Sequence, residues 1–159
     1  MKGQGGFTLV ELIVVVVIIG ALLGVATLYF VQLNEKYKVE SLTKEIYSTL
    51  MKNRNDAATT NTPRVIELAA DRIRSGPDAD GNRNIDDGEP VNEMQSSGFV
   101  FQFTGANRIA FDRRGLTTDN QTLIITGARF GATPAMDCIS IAATRINIGK
   151  MEAGNCVHR

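Results

Sequence analysis

Residues 6–13 read Gly-Phe-Thr-Leu-Val-Glu-Leu-Ile and open an apolar run to Val31 in which only Thr8, Glu11 and Thr27 fall outside the apolar and glycine set. A helix crosses a bilayer with about 20 apolar residues, so the run is long enough to span one. Three readings compete for it. A plain single-pass anchor accounts for the length but not for Glu11, because a carboxylate in a hydrocarbon span costs roughly 2.5–3.5 kcal/mol and such a group normally has a partner and a task. A secretory signal peptide would use Gly24-Val25-Ala26 as its small-x-small cleavage site, against which stand the length of the run and the acid near its start. In the third reading residues 1–6 are a short polar leader carrying Lys2, cut before Phe7, and the apolar helix is retained.

Beyond Val31 the pattern becomes amphipathic: Leu33, Tyr37, Leu42, Ile46 and Leu50 recur at helical spacing among Lys36, Lys38, Glu40, Lys44 and Glu45. The simplest reading is one continuous helix from Phe7 that fades over residues 59–61, where Thr, Asn and then Pro63 oppose it. Strand-like runs follow at residues 64–68, 99–103, 108–111, 122–126, 138–142 and 145–148, separated by Gly105, Gly115, Gly127 and Gly131, with a polar segment rich in Gly, Asp and Asn at 75–89. The predicted class is α+β, a long N-terminal helix packed on a predominantly antiparallel β-sheet domain. It divides into a leader (1–6), a membrane-spanning and assembly half of the helix (7–31), an amphipathic half (32–61) and a β-rich head (62–159). The chain of 159 residues carries 17 basic and 17 acidic residues, and setting aside Lys2 and Glu11 leaves the remainder balanced too. That balance gives no whole-domain pull toward nucleic acid or anionic lipid.

Gly6 before the cut, Phe7 first in the mature chain and Glu11 fifth resemble the signal of type IV prepilins and pseudopilins. In that family a membrane aspartyl peptidase cuts after the glycine and N-methylates the new terminus. The resemblance therefore implies cleavage between Gly6 and Phe7 and methylation of Phe7. It also implies partners: the prepilin peptidase, an inner-membrane assembly platform and other pilin or pseudopilin subunits, met through the N-terminal helix. The physical logic agrees, since the amine freed on Phe7 can neutralise Glu11 of a neighbouring subunit and so fix axial register. A carboxylate that snorkels to the interface and complements the helix dipole remains the alternative for Glu11.

The order of parts resembles the GspH/FimT family of minor pilins and pseudopilins. Three stretches carry it: residues 54–65, residues 78–91, and Ile109-Ala110-Phe111-Asp112 followed by Arg114-Gly115. This resemblance implies a structural minor subunit at or near a filament tip that helps start assembly, held in the inner membrane with its head in the periplasm before it joins a pilus or a type II secretion pseudopilus. Some relatives take part in DNA uptake and carry Gly-Arg-x-Arg near the C-terminus. Here the matching stretch is Thr144-Arg145-Ile146-Asn147, so only Arg145 fits, with Lys150, His158 and Arg159 as further candidate contacts. Such few charges release few counterions and would bind weakly.

A pilin-like head lies in an oxidising compartment, which favours a disulfide between Cys138 and Cys156 over two free thiols. His158 is the only histidine, so a transition-metal site lacks ligands and no Ser-His-Asp set can be assembled, which argues against an enzyme. No cofactor is required. Calcium is the candidate ion: Asp78, Asp80, Asn82, Asn84, Asp86 and Glu89 fall at positions 1, 3, 5, 7, 9 and 12 of an EF-hand-type loop, with Arg83 where such a loop has glycine. The same Asp, Asn and Gly content also suits a plain solvated turn.

Overall fold

The computed structural model of the chain describes residues 8–86, 90–129 and 131–158. One helix, α1 (Leu9–Thr60), is followed by β1 (Arg64–Leu68), β2 (Arg72–Pro77), β3 (Asn92–Gln95), β4 (Val100–Phe103), β5 (Arg108–Phe111), β6 (Gln121–Thr126), β7 (Cys138–Ile141), β8 (Ile146–Glu152) and β9 (Asn155–His158). At 1.5 Å per residue, the 52 residues of α1 extend about 78 Å, far more than the head can cover. Thr8 caps the helix start. Its end is set by Asn61, which takes a left-handed conformation (φ 54°), with Pro63 close behind.

The head contains two antiparallel sheets where one was expected. The first has the order β3-β2-β1-β5 and the second β4-β6-β7-β8-β9. Val39, Leu42, Ile46, Leu50 and Ala57 of α1 are buried against Ile66, Leu68, Ile73, Ile109 and Phe111 of the first sheet and Phe101, Leu123, Ile125, Ile139, Ile141 and Ile146 of the second. Side chains alternate across β6, where Gln121, Leu123 and Ile125 face inward. Tyr37, read from the sequence as part of the buried stripe, is exposed, and Leu33 is only half-buried. The helix has already run beyond the head at those positions, and Val39 is the first of its residues to enter the core.

Polar contacts pin α1 to the head along its second half. Glu40 Oε1 accepts from the Ala135 amide (2.8 Å), Thr43 donates to the Met136 carbonyl (3.3 Å), and Arg64 Nε donates to Asn53 Oδ1 (2.9 Å). Further along, Gly115 is left-handed (φ 72°), and a Cβ there would stand 2.8 Å from the Arg54 carbonyl oxygen. The Asp112-x-Arg114-Gly115 stretch is thus the turn that lets the chain after β5 lie directly on the helix. Asp112 Oδ1 accepts from the Arg114 and Leu116 amides (2.8 Å each), and these, led by the Leu116 amide, hold its carboxyl below the usual carboxylate range.

Candidate functional site

The start of α1 is a reciprocal cap. The Glu11 amide donates to Thr8 Oγ1 (3.2 Å) while the Thr8 amide donates to Glu11 Oε2 (3.3 Å). The sequence spells such a box as Thr8-x-x-Glu11, at the start of the apolar run. Glu11 therefore has a local role within the subunit as well as any role between subunits. Gly6 and Phe7 lie outside the described residues.

From Leu9 to Phe30 every residue of α1 is exposed, including Val14, Val15, Ile18, Ile19, Leu22 and Phe30 at half exposure or more. The most apolar 18-residue window of this helix has a mean hydropathy of 3.0 and no residue buried within the chain. Leaving so large an apolar surface in water is unfavourable at about 25 cal/mol per Å², so a bilayer or other helices must cover it.

Cys138 and Cys156 are bonded, with Cα atoms 5.9 Å apart. The bridge joins β7 to β9, and β8 runs between them in the sheet. Of the described DNA-contact candidates, Arg145 precedes β8 and Lys150 lies five residues on, about 17 Å along an extended strand, so these two do not share one tip. Lys150 pairs with Val157, next to His158, and Arg159 is outside the described residues.

The acidic segment forms a compact turn. Asp78 accepts from the Arg83 amide (3.1 Å), Asp80 from the Asn82 amide (3.1 Å) and side chain (2.8 Å), and Asp86 from the same Asn82 side chain (2.7 Å). Asn84 is turned away, its Oδ1 accepting from Arg108 (2.7 Å). Glu89 is outside the described residues. Sequence reading did not anticipate the clamp behind this turn: Arg83 is ion-paired to Asp119 (2.6 Å), which also accepts from the Ala110 amide of β5 (2.9 Å). Burial acts to raise the Asp119 pKa, but Arg83, the Ala110 amide and the Thr117 hydroxyl outweigh it and keep the carboxyl below its ordinary value of 3.8. The stabilisation is therefore in place above that pH and is lost as pH falls through the lowered value. Asp119→Ala is expected to cost about 2 kcal/mol, because it strips an ion pair and leaves the Ala110 amide unpaired. Urea unfolding should also show a flatter loss of stability below about pH 4 in the variant than in the parent.

Residues 1–27 match the prokaryotic N-terminal methylation motif. No curated protein matches the chain. Among solved structures, the chain resembles the type IV minor pilin FimU of Pseudomonas aeruginosa at 16% identity and a TM-score of 0.58, over 79% of this chain and 96% of that one. It also resembles the minor pseudopilin EpsH of the Vibrio cholerae type II secretion system at 11% identity and a TM-score of 0.55, over 72% and 97%. The motif at the start of an exposed apolar helix, with antiparallel sheets packed on that helix's second half, gives the chain a type IV pilin-like fold. That fold is similar to those of a minor pilin and a minor pseudopilin.

Proposed function

We propose that this chain is a structural minor subunit of a type IV pilus or a type II secretion pseudopilus, sitting at or near the filament tip and priming assembly. The observation that carries this reading is the division of α1: its second half is committed to the core of the head, and its first half is left for neighbours. In the reading, a prepilin peptidase cuts between Gly6 and Phe7 and methylates Phe7. The single-pass precursor waits in the inner membrane with its head in the periplasm, and an inner-membrane platform hands it to the filament. The Cys138–Cys156 bond supports that orientation, since such bonds persist in oxidising compartments. The names of its structural neighbours, a minor pilin and a minor pseudopilin, support the minor role.

Mass spectrometry of the membrane-extracted protein tests the processing step. The expected product begins at methylated Phe7. A terminus at Thr27 would instead support secretory cleavage, and an intact Met1 a plain anchor. Gold-labelled antibody to the head should then mark filament ends rather than shafts, and labelling spread along the shaft would remove the tip assignment.

A further inference from the structure

We infer that the cleft beyond the end of α1, lined by Phe111 and Leu116 together with Asp78, Arg83 and Arg114, binds an extended peptide segment of a neighbouring subunit that seats one apolar side chain there. The cleft has a volume of about 460 Å³, inside the range of about 300–1,000 Å³ usual for built binding sites. Three stretches that carry the chain's resemblance to minor pilins meet in it. Pro63 comes from residues 54–65, Asp78 and Arg83 from residues 78–91, and Phe111, Asp112 and Arg114 from residues 109–115. The lining is held in place before any ligand arrives: the Asp78 amide donates to the Pro63 carbonyl (2.8 Å), the Thr117 amide to the Ala143 carbonyl (3.4 Å) and the Leu116 amide to Asp112 Oδ1 (2.8 Å).

Asp78 points to the chemistry of the ligand. It is only 3% exposed, and although Oδ2 accepts from the Arg83 amide (3.1 Å), Oδ1 is buried with no hydrogen-bond partner. Native structures seldom leave such an oxygen unmatched without a reason, and what it lacks is a donor. The arginines of the cleft supply the opposite need. Among the described residues Arg83 uses only Nη2, on Asp119, and Arg114 uses Nε and Nη2, on Asp112, so the remaining guanidinium hydrogens face no protein acceptor. A peptide main chain presents N–H and C=O groups in alternation, which suits an acceptor and two donors set around an apolar patch. A base or sugar would need an exposed ring to stack on, and the ring in this lining, Phe111, is 2% exposed. Displaced carboxyls gather here as they do at binding sites: burial pushes Asp78 up, and the Leu116 amide holds Asp112 down.

The position of the cleft selects the source of the segment. From Val31 to the end of α1 at Thr60 the helix rises about 45 Å at 1.5 Å per residue, and Pro63 of the cleft follows directly. The cleft therefore lies at the far end of the helix from the apolar half, beyond the reach of a lipid surface, whose field is screened within about 8–10 Å. The choice of partner rests on the filament reading. In a filament fed from the membrane, that end of the head faces the subunits that entered earlier, and one of these supplies the segment.

The test uses the full chain in cells, with photoreactive benzoylphenylalanine in place of Thr118, an exposed residue of the cleft, and sequences the peptides joined when sheared filaments are irradiated. The expected product joins position 118 to one segment of another subunit, centred on an aromatic or large aliphatic side chain. Ala143→Trp fills the cleft from an exposed position and should lower the yield of that product at least about tenfold, with a melting temperature in detergent micelles within about 2 °C of the parent. Asp78→Asn probes the unmatched oxygen. The asparagine oxygen must stay on the Arg83 amide, so its Nδ2 takes the place of Oδ1 and an acceptor becomes a donor. The yield should fall to a similar degree, while the melting temperature holds or rises because a buried charge is gone. A lowered melting temperature with unchanged yield would make Asp78 structural and overturn the inference. Unchanged yield in both variants, cross-links confined to the chain itself, or a small molecule seen by native mass spectrometry and lost in Ala143→Trp would also overturn it. Absence of the parent chain from filaments would overturn instead the filament reading, and with it the choice of partner.

Discussion

Glu11→Ala is expected to leave the protein cleaved and inserted in the membrane while its incorporation into sheared filaments falls on the order of 100-fold. The size follows from what the substitution strands. In the proposed assembly, the amine on Phe7 of one subunit enters the apolar interior against Glu11 of another, and each charge makes the other tolerable. Without the carboxylate, the amine lies unpaired in hydrocarbon, a cost of roughly 2.5–3.5 kcal/mol on insertion scales, and each 1.4 kcal/mol is tenfold. The Thr8–Glu11 box complicates the alanine variant, because it also loses a helix cap worth about 1 kcal/mol. Glu11→Gln separates the two roles. Glutamine can still accept from the Thr8 amide but carries no charge, so it should assemble as poorly as alanine. Normal assembly of the glutamine variant would assign Glu11 to capping, and normal assembly of both would end the intersubunit reading.

The parts legible in the sequence were those whose signal is local. The 7–31 run and the Leu42, Ile46, Leu50 stripe announce a helix because burial and periodicity coincide there. Tyr37 fits the same period yet is exposed, since periodicity identifies a face but not where the partner surface ends. The strands that escaped notice are those without apolar alternation: β2 reads Arg-Ile-Arg-Ser-Gly-Pro, β3 reads Asn-Glu-Met-Gln, and β9 is the four-residue edge of its sheet. β3 and β9 are edge strands with at most one apolar side chain turned to the core, and internal β2 buries Ser75 and Gly76 beside its one large apolar residue, Ile73, so none shows an apolar alternation. The split into two sheets was hidden for a different reason. It depends on β1 pairing with β5 and β4 with β6, contacts across long separations that no local spacing encodes. The Arg83–Asp119 clamp, 36 residues apart, was invisible on the same ground.

Gly149→Ala is expected to be the most damaging single methyl addition in the head. Gly149 sits mid-strand in β8, paired with Cys138 of β7 on one side and His158 of β9 on the other. The disulfide joins the two outer strands across it, drawing β9 so close that a Cβ at 149 would fall on the Val157 carbonyl oxygen and lie 2.9 Å from Cys156 Sγ. The first of these obstacles is backbone, which cannot rotate aside, so β9 must leave β8 or the bridge must open. Opening it forfeits the chain-entropy contribution of a loop of this length, roughly 3 kcal/mol, and lifting β9 loses strand pairing in addition. The paired variant Cys138→Ser with Cys156→Ser should lose only the first part. The melting temperature of Gly149→Ala should therefore fall by about 10 °C or more and lie below that of the double serine variant. Thiol labelling without reductant should find no free sulfhydryl in the parent and a reactive pair in a substantial fraction of Gly149→Ala. A Gly149→Ala protein that keeps its bridge and melts with the parent would show that β9 need not lie over β8, and would remove the disulfide as the reason for glycine at this position.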